Sequence, residues 1–176
     1  MNVRMAAGAI DMLTLIQQRV VWGRWFQSEV RALYYADLAS LYRRRQTWIA
    51  WTSLFASSGA LAAIVFALAS HRWPWLPAVL ALIPTGLSLY SLAAAPHQKA
   101  AEATELQLRW HAFAQDNRRL WDAMYSEDAS RHFAELDAVA RELSALSNRL
   151  PYEPQRMDKW WEVVAEQHRA AMPHAA

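Results

Sequence analysis

Two uncharged runs, Gln46 to Ser70 and Trp73 to Ala95, stand back to back around the polar pair His71 and Arg72, with charged sequence on either side. A helix rising roughly 1.5 Å per residue needs about 20 residues to cross a hydrocarbon layer roughly 30 Å thick, and each run is long enough. The pattern predicts a transmembrane hairpin over residues 46–96, with spans at 46–70 and 75–95. The competing reading is a soluble hairpin buried in a large core, but the remaining sequence is too polar and too short to wrap two such helices.

Outside the hairpin the periodicity is helical, and no stretch alternates apolar with polar long enough to predict a strand. In the arm over residues 1–45, Leu13, Ile16 and Val20 share one face, and Phe26, Val30 and Leu33 repeat it beyond Gly23, where a bend or break is expected. The second of these segments is expected to run straight into the first span. After Pro96, the residues Leu106, Trp110, Phe113, Asn117, Leu120 and Met124 follow at intervals of four, three, four, three and four, a heptad seam. Asn117 takes one core position of that seam, where a buried amide lowers stability but fixes register or subunit number. A second stripe comprises Phe133, Leu136, Ala140, Leu143, Ser147 and Leu150, opened by Ser126, Glu127 and Asp128 and closed by Pro151. The last helix begins near Pro154 and lines up Met157, Trp160, Val164 and Ala171. The region 97–176 therefore reads as helices at about 97–125, 128–150 and 154–171. All these stripes serve either packing within one chain or contacts between copies, and Leu106, Trp110, Phe113, Asn117 and Leu120 are the candidate oligomer seam. The fold class is an all-α membrane protein: a two-helix transmembrane hairpin with amino- and carboxy-terminal cytoplasmic helices forming a helical bundle.

Charge sets the orientation. Arg43, Arg44 and Arg45 abut the first span and Lys99 follows the second, whereas the connecting turn carries Arg72 alone, so both termini are expected in the cytoplasm. Trp48, Trp51, Trp73 and Trp75 fall where aromatic side chains favour the water boundary. The formal charge of +2 over 176 residues gives no sign of a nucleic-acid binder. It is unevenly placed: residues 1–45 carry seven basic against three acidic side chains, and residues 97–176 carry ten against thirteen. The opposite signs favour packing of the two arms, with the basic arm nearer anionic head groups, or simply give two solvated surfaces. Cysteine is absent, which excludes disulfides and thiolate metal sites. The first residues lack a separate apolar core with a cleavage site, so the first span is expected to act as an uncleaved insertion signal.

Lipid gives helices no hydrophobic drive to meet, so their association depends on small residues that let backbones approach and on weak hydrogen bonds. Thr52, Ala56, Gly59 and Ala63 recur on one face of the first run, and Thr85 and Ser88 lie on a comparable stripe of the second. These six are candidates for span packing or pore lining. Pro84 removes a backbone donor near mid-membrane beside Gly86, and the two form a candidate hinge. Neither run contains an ionisable side chain, which argues against proton relays and ion-coupled transport.

No catalytic, metal or cofactor-binding residue is expected. The six histidines are scattered, and His132 with Glu135 lacks further ligands. The four glycines lie too far apart for a phosphate loop, and no nucleophile elbow is present. Trp160 and Trp161 invite a ligand cage, although core packing or an interfacial anchor accounts for them more simply.

The arm carrying Trp25, Tyr34, Tyr35 and Tyr42 to Arg45, two spans, a long helix with Trp110 and His111, and a Leu150–Pro151 break before a last helix together resemble the SLATT family. These are two-span effector modules found beside nucleotide-second-messenger synthases and sensors in bacterial conflict systems. The resemblance runs from about Trp22 to His168. It implies a bacterial inner-membrane effector, without catalytic residues, that oligomerises and permeabilises the membrane or forms a weakly selective pore. It further implies the lipid bilayer, copies of the chain itself and a separate nucleotide-synthase or nucleotide-sensor protein as partners. Two other readings fit the same residues: a non-conducting anchor or adaptor that recruits a cytoplasmic partner through its helices, and a phage-type holin.

Overall fold

The computed structural model describes residues 13–70, 82, 86, 89, 90 and 95–171; within the first stretch, the side chains of 56, 57 and 60–70 lie outside the description. Four helices account for nearly all of the described residues, which contain no strand: α1 (Leu15–Ser70), α2 (Pro96–Asp122), α3 (Ala129–Ser147) and α4 (Pro154–Ala171).

Each helix starts where local chemistry allows it. Thr14 and Gln17 form a reciprocal capping box before α1: the Thr14 N–H donates to Gln17 Oε1 at 2.8 Å, and the Gln17 N–H donates to Thr14 Oγ1 at 3.3 Å. Pro96 and Pro154 occupy first helical positions, where the missing N–H costs nothing and the fixed φ is already helical. Ala95, just before Pro96, turns the chain with a φ of 41°, a left-handed conformation unusual for a residue with a Cβ. Asp128 precedes α3 but caps nothing with its side chain, which pairs with Arg131 at 3.1 Å instead.

Two compact units divide the chain, Met1–Ala36 with Ala103–Ala176, and Asp37–Glu102. The first holds a core drawn from all four helices. Val21, Val30 and Tyr34 of α1, Leu106, Trp110, Phe113 and Leu120 of α2, Ala129 and Leu143 of α3 and Val164 of α4 are buried. At one end, Leu13, Val21, Leu120 and Ala129 pack with Trp121, Met124, Phe133 and Leu136. Burying each such Val or Leu side chain contributes about 1.5–3 kcal/mol, which is what lets short helices with little intrinsic stability persist. In the second unit Leu38, Ala39, Tyr42 and Ala100 are buried, while Arg43, Arg44 and Arg45 are exposed.

Three expectations change. Helix α1 passes through Gly23 without a break, because one glycine costs a helix only about 1 kcal/mol and the turns on both sides are packed. The start of the first arm buries a different face: Ile16 and Val20 are exposed at 76% and 36% while Val30 of the second stripe is buried, and a buried register runs Val21, Ser28, Tyr35 and Tyr42 at heptad intervals. Leu13 is buried from outside the helix, its N–H reaching Met124 O at 3.4 Å, so helical spacing counted from it points the wrong way. Finally, Leu106, Trp110, Phe113, Asn117 and Leu120, the candidate seam between copies, are 5% exposed or less within a single chain. The stripe is already covered by the chain's own helices and leaves no free surface for a second copy.

The described helices of residues 97–176 match the expected ones to within about three residues, the disagreement that frayed ends ordinarily produce. Of the expected second span, 75–95, only residues 82, 86, 89, 90 and 95 are described. Pro84, Thr85 and Ser88 lie outside the described residues, as do the side chains of Ala56 and Ala63.

Candidate functional site

The surface of α1 changes character after Tyr42. Arg43, Arg44 and Arg45 form an exposed basic collar, followed by Trp48 at 75%, Trp51 at 54%, Leu54 at 57% and Phe55 at 68% exposure. Trp51 and Phe55 stack with ring centroids 6.0 Å apart, one helical turn from each other. Leu82, Leu89 and Tyr90 are likewise exposed. Exposed apolar patches of this kind are, in general, where proteins meet a membrane or another protein.

Hydroxyl groups within this apolar stretch satisfy themselves on their own helix. Thr47 Oγ1 donates to Arg43 O at 3.0 Å, Thr52 Oγ1 to Trp48 O at 2.7 Å and Ser58 Oγ to Leu54 O at 2.9 Å. Back-bonding to the preceding turn spares each hydroxyl the several kcal/mol that an unsatisfied polar group costs in an apolar medium. Thr52 and Gly59, of the packing stripe, are described; Thr52 is exposed, and a Cβ placed on Gly59 would meet nothing within 4 Å. The same holds for Gly86 of the candidate hinge, which is helical. Among the described residues no helix is long and apolar enough to cross a membrane; Ala60–Ser70, the most apolar part of α1, is described as helical backbone alone.

A second constellation fastens α4 to α1. Glu29 accepts from Trp25 Nε1 on one carboxylate oxygen and bonds His168 Nε2 on the other, both at 2.6 Å. The His168 ring sits among Trp22, Trp25 and Phe26 with centroids 5.3, 5.1 and 5.5 Å away, and Trp161 meets Phe26 edge-on at 4.6 Å. Trp160 and Trp161 therefore do not form a cage together: Trp161 belongs to this cluster, and the Trp160 indole N–H is buried without an acceptor among the described residues. Arg24 pairs with Asp137 across α1 and α3 and lies 5.1 Å over the Phe133 ring, so the basic arm does meet the acidic region. Among the described residues no group of His, Asp and Glu could hold a metal ion, and His132 and Glu135 acquire no third ligand. The Glu29–His168 pair was beyond sequence reasoning, because 139 residues separate its members.

No protein-family model, curated protein or solved structure matches the chain.

Proposed function

We propose that the chain is a membrane effector that inserts through the hairpin over residues 46–96, oligomerises, and permeabilises the inner membrane or forms a weakly selective pore. The observation that carries the reading is the surface of α1. An exposed arginine collar is followed without a helix break by the uncharged run Gln46 to Ser70, in which Trp48, Trp51, Leu54 and Phe55 face outward. About 25 helical residues span roughly 37 Å, sufficient for the hydrocarbon layer with some tilt. The collar favours the cytoplasmic side, and Trp48 and Trp51 stand where interfacial anchors belong. Self-bonded hydroxyls at Thr52 and Ser58 are compatible with lipid or with a second helix.

The resemblance to SLATT modules extends this reading to a trigger. A partner protein that makes or senses a nucleotide signal binds the cytoplasmic helices and favours one packing of the spans over another, and only its differential affinity for the two states can shift that equilibrium. The chain itself acts without catalytic chemistry.

The test is dye release from liposomes reconstituted with the purified chain, with and without the product of any adjacent synthase or sensor gene. Release on adding that partner is the expected result. Vesicles that stay sealed under both conditions would assign the hairpin to anchoring alone, and a chain that remains soluble without detergent would refute membrane insertion.

A further inference from the structure

Arg31 is a cation without a counter-ion. It makes no ion pair or hydrogen bond with any described residue; its guanidinium lies 4.5 Å from the centre of the Trp110 ring. Indole on one face leaves the in-plane N–H edges open, and those edges are what recognise oxyanions in a bidentate fashion. They border a cavity of about 320 Å³ that α1, α3 and α4 enclose with the loop before α4, entirely within one compact unit.

The lining explains what the cavity can hold. Among the described residues no acidic one lines it, and Glu153, the carboxylate on the loop, is engaged by Arg156. Donors remain besides Arg31. Tyr35 is 5% exposed, yet its hydroxyl bonds to no described residue, and Asn148 offers its side-chain amide. Ser147 is already used: it donates to Leu143 O at 2.8 Å and accepts from Trp110 Nε1 at 3.0 Å, which holds the indole beneath Arg31. The other wall is apolar, with Leu150, Pro151 and Met157, and Tyr152 stands at the rim, 64% exposed.

We propose that this cavity binds a phosphate oxyanion, with Arg31 as the bidentate donor, Tyr35 and Asn148 completing the set, and the apolar wall receiving the organic part of a phosphomonoester. Paired donors without a neighbouring carboxylate favour a doubly charged ligand over a neutral one. The volume exceeds what bare inorganic phosphate would fill and falls at the small end of ligand pockets. The proposal does not depend on membrane insertion.

The same chemistry arises from a free phosphomonoester or a lipid head group, and the experiment separates them. The detergent-solubilised full chain is titrated at constant ionic strength with phenyl phosphate, inorganic phosphate and benzoate, up to roughly 10 mM, by calorimetry and thermal unfolding. A parallel arm uses nanodiscs with and without phosphatidic acid. Saturable binding of phenyl phosphate, tighter than that of inorganic phosphate or benzoate, is expected. It should weaken at least about tenfold in Arg31→Gln and severalfold in Arg31→Lys, which keeps the charge but loses the fork. Tyr35→Phe keeps the ring and should weaken binding without impairing the fold, so the proposal stays open to refutation if Arg31→Gln misfolds. An Arg31-dependent response to phosphatidic acid alone assigns the lipid head group. No response to either source, or one that persists unchanged in the variants, overturns the proposal.

Discussion

Replacing Gly23 with alanine separates a hinge from an ordinary helical position. Gly23 lies inside α1, eight residues beyond its first residue, with helical turns on both sides, and a Cβ placed on it would meet nothing within 4 Å. No steric term therefore opposes the methyl group. What remains is backbone entropy: glycine in a helix interior costs about 0.8–1 kcal/mol relative to alanine. Gly23→Ala should thus stabilise the chain by about 0.5–1 kcal/mol, which for a domain of this size raises the melting temperature by roughly 1–4 °C. Thermal unfolding of the solubilised protein, followed by circular dichroism, measures it. A variant destabilised by more than about 0.5 kcal/mol would show that the native α1 bends here or is approached by another group, and the straight-helix argument would fail.

The remaining predictions concern the contacts that close the four-helix unit. Asn117 is 1% exposed and spends its amide N–H on Phe113 O at 2.8 Å, while its Oδ1 has no partner among the described residues, so Asn117→Leu should stabilise by about 1 kcal/mol in chemical denaturation; destabilisation would indicate a hidden acceptor role. Tyr34 donates to Pro151 O at 3.1 Å and accepts from the Glu153 N–H at 3.0 Å, so Tyr34→Phe should cost about 1–3 kcal/mol, and a loss below about 0.5 kcal/mol would deny that it ties the loop to α1. Glu29→Gln removes the charge between Trp25 and His168 and, at a partly exposed site, should cost about 1 kcal/mol; hydrogen exchange should quicken in the carboxy-terminal half of α4 before elsewhere, and uniform exchange would argue against a local clasp.

Helical class and the boundaries of α2 to α4 were legible because long heptad stripes and two prolines point the same way. The Thr14-x-x-Gln17 capping box was written in the sequence as well, and it marks the start of α1 better than the apolar stripe that includes Leu13. Other features were not legible, for physical reasons. A heptad seam reads identically whether it faces its own chain or a copy, and only the burial of Trp110 and Asn117 within a single chain decides it. Nothing in the sequence singles out Arg31; its isolation appears only once Trp110 lies beneath it and Glu153 on the neighbouring loop is engaged by Arg156. The Glu29–His168 clasp joins the first helix to the last, and no local pattern encodes a pairing across that distance.

With the α2 seam closed inside each chain, any assembly of copies has to use surface that a single chain leaves open, and along α1 one such apolar surface lies beyond the arginine collar. Gly59 tests this directly. A Cβ there meets nothing within 4 Å, so Gly59→Leu should leave the isolated chain's helix intact and even favour it by about 1 kcal/mol. If copies associate through close backbone approach along the Thr52 and Gly59 face, the larger side chain holds the helices apart and removes the dispersion contacts on which lipid-embedded association depends. The mass of the detergent-solubilised particle should fall, and dye release should fall with it, while membrane insertion persists. An unchanged mass would show that this face takes no part in assembly, and a lower mass with undiminished release would separate permeabilisation from oligomer formation and refute the pore.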